Sequence, residues 1–162
     1  MDDVFADLDD AARLALDVAL GTAAALGDHL CGTEYILLGI FATARGEMAE
    51  VGELFVLDEL RIERAIHKIR EGHFSGEYDG DPPLSPRARA AARTRRHDGS
   101  GPTGVFELLA GILADDRSGA CEVLRELGVR PEEVRRLAAY GTRHLTKEEA
   151  AALLELLDRR RA

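Results

Sequence analysis

The sequence has no tryptophan and only two cysteines, and aromatic residues make up 5% of its 162 positions. So few large rings favour helices that pack through aliphatic side chains. Cys31 and Cys121 are far apart in the chain and match no CxxC or Cys/His ligand spacing. This pattern predicts two reduced, buried thiols, with a disulfide between them as an open alternative.

The chain is also short of positive charge, with a formal net charge of −9 at pH 7. A field of that sign would repel a phosphate backbone and so argues against a general nucleic-acid binder. The first residues are acidic where a signal peptide would be basic, and the longest apolar run, residues 35–42, is far shorter than the roughly 20 residues of a membrane span. We therefore expect a cytoplasmic protein with no membrane partner.

Catalytic machinery is the third absence. No GxxxxGK[ST] phosphate loop occurs, and no nucleophile, base and orienting group form a recognisable pattern. The histidine pairs His67/His73 and His29/Cys31 have no third or fourth ligand in register. The sequence thus predicts a protein that is not an enzyme, with no cofactor and no metal.

Helical periodicity runs through most of the chain, and no stretch of useful length alternates with period two. Thr33 is a candidate N-cap, and Ser85 followed by Pro86 is a second helix start. Further helices are expected at the following places: residues 48–60, 62–69, 105–113, 119–127 and 131–140, and after the capping box at 146–149. The predicted fold class is all-α.

Three blocks of the first half recur in the same order in the second half. The matching pairs are 8–13 with 84–89, 32–40 with 104–112, and 56–62 with 123–129. They divide the chain into a first helical repeat (1–70), a Gly- and Pro-rich linker (71–83), a second, degenerate repeat (84–141) and a C-terminal helix extension (142–162). We expect two pseudo-twofold-related four-helix repeats plus the extra helix.

These blocks carry a resemblance to a known family. Gly32-Thr33-Glu34 with Leu37-Leu38-Gly39, and the run 123–129, resemble the N-terminal repeat domain of Clp/Hsp100 unfoldases of the ClpC type. The resemblance covers residues 4–140 and implies a stand-alone, non-enzymatic copy without ATPase modules. Such a copy would capture protein clients, adaptors or cyclic peptide ligands in place of the unfoldase N-domain, and could sequester cyclic peptide antibiotics. The Ala-, Arg- and Gly-rich composition points to a bacterial, actinobacterial source.

The resemblance also implies a phosphoarginine pocket. In it, Glu34 would hold the guanidinium, while Thr33 and nearby helix N–H groups would receive the phosphoryl oxygens. The alternative is that Thr33 and Glu34 simply form a good helix N-terminus. In the second repeat Val105 and Phe106 replace this pair, and Glu107 should point about 100° away. At most one such site is therefore expected.

Apolar side chains complete the predicted peptide-binding set, which consists of Phe5, Leu8, Thr33, Glu34, Leu84 and Phe106. By resemblance, Phe5 and its counterpart Leu84 border a hydrophobic groove between the repeats and would anchor a peptide. Phe106 would enlarge that groove. The alternative is that Phe5 packs the first helix and Phe106 fills the core.

A basic segment, residues 87–97, supports a different class of function. It contains Arg87, Arg89, Arg93, Arg95, Arg96 and His97. On an amphipathic helix these residues would make a regulatory partner that binds nucleic acid or another protein. The alternative is a solvated face paired to acidic residues elsewhere.

Overall fold

A computed structural model describes residues 4–70, 82–95, 99, 101–141, 148, 152, 155 and 159. Its named elements follow a short 3-10 turn at Val4–Asp7. They are α1 (Asp10–Ala25), α2 (Thr33–Ala42), α3 (Glu47–Phe55), α4 (Glu59–Ile69), α5 (Pro86–Ala92), α6 (Val105–Ile112), α7 (Gly119–Glu126) and α8 (Pro131–Gly141). The described residues contain two isolated β-bridges and no strand. The all-α prediction is confirmed.

Local signals fix most helix ends. The Ser85 hydroxyl accepts a hydrogen bond from the N–H of Ala88, with Pro86 in the first turn of α5, as the sequence predicts. The Thr33 prediction is wrong, because Gly32 is the N-cap of α2 and Thr33 is its first residue. Gly32 has no side chain that could cap the first turn of α2.

The predicted helix 48–60 is also wrong in extent. Helix α3 ends at Phe55, and Val56 has left-handed backbone angles, φ 55° and ψ 48°. The N–H of Leu57 then bonds the carbonyl of Gly52 at 2.8 Å, which closes the helix end. The new helix starts only at Glu59, capped by the Asp58 side chain.

Two β-bridges at the seam between the repeats are related by internal symmetry. Leu8 pairs with Thr103, and Leu84 pairs with Cys31. Each bridge has the same two hydrogen bonds. Asp9 N–H to the Thr103 carbonyl (2.9 Å) corresponds to Ser85 N–H to the Cys31 carbonyl (3.0 Å), and Thr103 N–H to the Asp7 carbonyl (2.7 Å) corresponds to Cys31 N–H to the Pro83 carbonyl (2.9 Å). The start of each repeat is thus tied to the second helix of the other.

A close contact between the first two helices also occurs in both repeats. A Cβ placed at Gly39 would collide with the backbone of Ala15, and one at Gly111 would meet the backbone of Ala91 at 2.9–3.0 Å. Gly39 and Gly111 are equivalent positions of the blocks 32–40 and 104–112. Ala15 and Ala91 are equivalent when the blocks 8–13 and 84–89 are extended along their helices. Both repeats therefore use one glycine to bring their first two helices together.

The third pair of sequence blocks, 56–62 and 123–129, does not align in the structure. Residues 123–129 contain the end of α7, and Gly128 there has φ 74°. Its structural counterpart is Val56, because Val129 N–H bonds the Leu124 carbonyl as Leu57 N–H bonds that of Gly52, both at 2.8 Å. Block 123–129 thus matches 51–57 and not 56–62, which straddles the loop into α4.

Helix α2 lies at the centre of the fold, with every residue from Thr33 to Phe41 buried. It packs against α1, α3, α4, α5, α6 and α7. Helix α5 has 7 residues where its counterpart α1 has 16. No described helix is long and apolar enough to cross a membrane.

Two predicted segments lie mainly outside the described residues. Of the linker 71–83, only residues 82 and 83 are described. In the C-terminal extension 142–162, positions 148, 152, 155 and 159 are helical and exposed, and the rest, including most of the capping box 146–149, lies outside. The division into these domains stays a prediction.

Candidate functional site

Glu34 occupies the second position of α2, and its side chain is 7% exposed. A Cβ on Gly32 or on Gly119, the first residue of α7, would collide with the Glu34 carboxylate. These two glycines therefore leave the space in which the carboxylate lies, between the starts of two helices. Burial raises the pKa of Glu34, and the charge of Glu122 acts in the same direction, against a hydrogen bond from its own backbone. A buried carboxylate with a raised pKa is stabilised by a nearby cation.

That cation is Arg70, the C-cap residue of α4. Its Nη2 atom lies 2.5 Å from Oε1 of Glu34, and its Nη1 atom forms an ion pair with Asp28. The side chain of Arg70 is 30% exposed, against 12% for Asp28. The guanidinium thus lies on the solvent side of both carboxylates.

Tyr35 completes this group. Its hydroxyl donates a hydrogen bond of 2.9 Å to Oδ2 of Asp28, and the guanidinium carbon of Arg70 lies 5.6 Å from the centre of its ring. This distance is within the range of a cation–π contact. We call Asp28, Glu34 and Tyr35 together the acidic pocket. It offers two carboxylates and an aromatic face to one planar cation.

Thr33 has a structural contact that the sequence did not reveal. Its side chain is buried, and Oγ1 accepts a hydrogen bond of 3.0 Å from the backbone N–H of Ala120. Thr33 thereby satisfies one of the free N–H groups in the first turn of α7. It joins the two repeats and does not face solvent as a receptor for phosphoryl oxygens would.

The second repeat also buries a carboxylate at the start of its central helix. Glu107 is 6% exposed, and a Cβ on Gly104 would lie 3.0 Å from both Oε2 of Glu107 and Oδ2 of Asp9. Glu107 is the third residue of α6, so its backbone position keeps the predicted rotation of about 100° from that of Glu34, the second residue of α2. Its carboxylate reaches the N-cap glycine from the third helical position, as that of Glu34 does from the second.

The four apolar candidates fall into two sets, one at each seam bridge. Leu84 is half-buried and pairs with Cys31, which precedes Glu34 by three residues in the chain. Leu8, which is buried, pairs with Thr103 near Phe106, and half-buried Phe5 lies in the turn that packs against α5. Because Leu84 and Leu8 occupy equivalent bridges, the pairing of Phe5 with Leu84 is wrong. A ligand-binding role for these residues stays a prediction.

The basic segment is not one continuous helix, because α5 ends at Ala92. Arg87 forms an ion pair with Asp115 (2.7 Å), and Arg95 lies 3.9 Å from a carboxylate oxygen of Asp7. Exposed pairs of this kind favour the solvated-face interpretation. Arg96 and His97 lie outside the described residues.

Cys31 and Cys121 are both buried and unbridged, as the sequence predicts. Burial raises the pKa of the Cys121 thiol, which disfavours the reactive thiolate. Over the part of the chain that the structure describes, His, Cys, Asp and Glu side chains form no group suited to a metal ion.

Comparison with solved structures places this arrangement of helices in a known fold. The crystal structure of the N-terminal domain of the chaperone ClpD from Arabidopsis thaliana superposes with a TM-score of 0.69, covering 85% of this chain and 97% of that domain at 22% identity. This chain has the fold of a Clp N-terminal domain. The resemblance carried by the sequence blocks is thereby confirmed.

Curated sequences agree with the Clp N-domain fold. A chloroplastic ClpA homolog from Brassica napus, an ATP-binding subunit of the ATP-dependent Clp protease, is 32% identical over 116 residues, 68% of this chain. A probable Clp protease ATP-binding subunit from Chlamydia pneumoniae is 27% identical over 129 residues, 77% of this chain. The match spans only 13% and 15% of those relatives. No protein-family model matches the chain.

Sequence reasoning identified Glu34 and missed the residues around it. Asp28 stands in the loop that ends α1, and Arg70 closes α4, so neither shares a helix with Glu34. Tyr35 is the next residue in α2, where it reads as part of an apolar run. The only sequence signal was a tyrosine in that run, followed at the end of α4 by an arginine.

Proposed function

We propose that this Clp N-domain fold is a non-enzymatic peptide- and protein-binding module associated with Clp proteolysis. It would capture clients, adaptors or cyclic peptide ligands in place of the N-domain of an unfoldase. The observation that carries the proposal is the acidic pocket, in which two buried carboxylates and a tyrosine ring engage a guanidinium. The named relatives support the association, since they are ATP-binding subunits of the Clp protease.

The chemistry of the pocket favours ligands with an arginine or phosphoarginine side chain. A planar guanidinium matches two carboxylates through several parallel N–H donors, which a lysine ammonium does not reproduce. Leu84 lies at the bridge next to α2 and would contact the rest of a bound segment. Thr33 is committed to Ala120, so a phosphoryl group would have to be held by other donors.

The test is a calorimetric titration of the protein with an arginine-phosphorylated peptide, with the unphosphorylated peptide for comparison. We expect micromolar binding that Glu34→Gln weakens by at least tenfold, about 1.4 kcal/mol, because the substitution removes the charge that faces the guanidinium. Glu63→Gln is the matched control, since Glu63 is a half-exposed carboxylate on α4 whose Oε1 lies 3.9 Å from Nε2 of His67. It should leave the binding unchanged.

Circular dichroism confirms beforehand that each variant is folded. A folded wild-type protein that gives no heat with either peptide would refute capture of arginine-bearing segments. Equal weakening by Glu34→Gln and Glu63→Gln would show that binding depends on total charge and not on the acidic pocket.

A further inference from the structure

We propose that Arg70 is a resident ligand of the acidic pocket, and that an arginine side chain from a partner binds there only after displacing it. The inference rests on the proposed function for its biological purpose. Its physical basis does not depend on the proposed function, because it consists of the contacts that Arg70 makes with Asp28, Glu34 and Tyr35. It makes Arg70 the residue that sets the apparent affinity of the site for an external arginine.

The contacts of Arg70 are those that a bound arginine would make. Its Nη1 atom faces Asp28 and its Nη2 atom faces Glu34, so the two carboxylates bind the two terminal nitrogens of one guanidinium. The ring of Tyr35 lies against the guanidinium face. Tyr35 also holds Asp28 in place through its hydroxyl, which keeps the pocket shaped when the cation leaves.

Arg70 is placed so that it can leave without unfolding its helix. Its backbone N–H bonds the carbonyl of Ile66 at 3.0 Å, which anchors the main chain at the end of α4. The side chain extends from that anchor and is the most exposed member of the group. Rotation about its side-chain bonds therefore opens the acidic pocket toward solvent while α4 stays intact.

When the Arg70 side chain leaves, the acidic pocket favours the binding of another cation. Two mostly buried carboxylates would then face each other's charge without compensation, and Glu122 on α7 adds to that field. A tethered guanidinium competes with any free one at a high effective concentration. If Arg70 fills the pocket for about 90–99% of the time, the apparent affinity for an external guanidinium falls about ten- to hundredfold.

The experiment compares wild-type protein with Arg70→Met, which keeps much of the aliphatic stem and removes the guanidinium. The probe is N-acetyl-arginine amide, and N-acetyl-lysine amide is the matched probe without a planar fork. Binding is followed by NMR titration of the Tyr35 and Glu34 backbone amides. We expect Arg70→Met to bind the arginine probe at least tenfold more tightly than wild type, and to prefer it over the lysine probe.

Two further variants make the result specific. Arg61→Met removes an exposed arginine from the same helix and should bind the arginine probe as weakly as wild type. The double variant Arg70→Met with Glu34→Gln should lose the gain. Equal affinity of wild type and folded Arg70→Met for the arginine probe would overturn the proposal, as would a folded Arg70→Met that binds neither probe.

A measurement on the wild type covers the case in which Arg70→Met does not fold. The Nη–H protons of Arg70 face the carboxylates of Asp28 and Glu34, so we expect them to exchange slowly with water, and we expect this protection to be lost in Glu34→Gln. A fast-exchanging Arg70 proton would overturn the proposal. If wild type and Arg70→Met bind the phosphoarginine peptide equally, the resident-ligand inference falls and the proposed function stands. If Arg70→Met binds the arginine probe more tightly than wild type but neither protein binds any peptide, the proposed function falls and the resident-ligand inference stands.

Discussion

The close approach of α1 and α2 gives the sharpest prediction, which is that Gly39→Ala destabilises the protein. A Cβ there would lie 3.0 Å from the carbonyl carbon of Ala15, closer still to its oxygen, and 3.3 Å from the N of Ala19. These are backbone atoms, so one of the two helices has to move. Overpacking of this kind costs about 3 kcal/mol, and the better helix propensity of alanine returns about 1 kcal/mol. The expected net loss is about 2 kcal/mol.

Gly21→Ala is a matched control in the same pair of helices. Gly21 lies within α1, and no atom lies within 4 Å of a Cβ built on it. Here only the helix propensity changes, so the free energy of unfolding should rise by up to about 1 kcal/mol. Urea denaturation followed by circular dichroism at 222 nm measures both variants, and equal m-values show that the same surface unfolds. A Gly39→Ala protein as stable as Gly21→Ala would refute the close helix contact.

Two further predictions concern single residues. Val56→Gly should raise the free energy of unfolding by about 1 kcal/mol, because a β-branched residue is strained at φ 55°. Gly128→Ala at the equivalent helix end should lower the free energy of unfolding by a similar amount. Chemical denaturation of both variants checks that the two changes have opposite signs. Thr33→Val should cost about 1–3 kcal/mol, since it leaves the buried N–H of Ala120 without an acceptor, and Thr33→Ser should recover most of the loss. Thermal melts of these two variants that coincide would contradict that role for the hydroxyl.

The acidic pocket changes how the position of Glu34 is understood. A helix N-terminus already favours a carboxylate through its dipole, which was the simpler explanation of Glu34. The burial of its side chain and its contact with Arg70 show that it also takes part in a charge cluster between helices α2 and α4. Glu34 is therefore both a structural residue and the centre of the candidate site.

The left-handed turns that follow α3 and α7 explain why one pairing of sequence blocks was misleading. Blocks 56–62 and 123–129 share similar letters, yet one spans a loop and the other a helix end. A glycine marks the left-handed turn in the second repeat, and a valine holds the same conformation in the first. Residue type therefore hid the equivalence, and only the backbone hydrogen bonds revealed it.

The sequence by itself determined the all-α class, the tandem repeat and most helix ends, because helices form through contacts between residues three or four apart and through caps such as Ser85. It also singled out Glu34. Only the tertiary structure decided what surrounds that carboxylate, since Arg70 reaches it from the end of α4 and Gly119 makes room for it at the start of α7. Those neighbours depend on how whole helices pack, and no local spacing encodes a distance between residues on different helices.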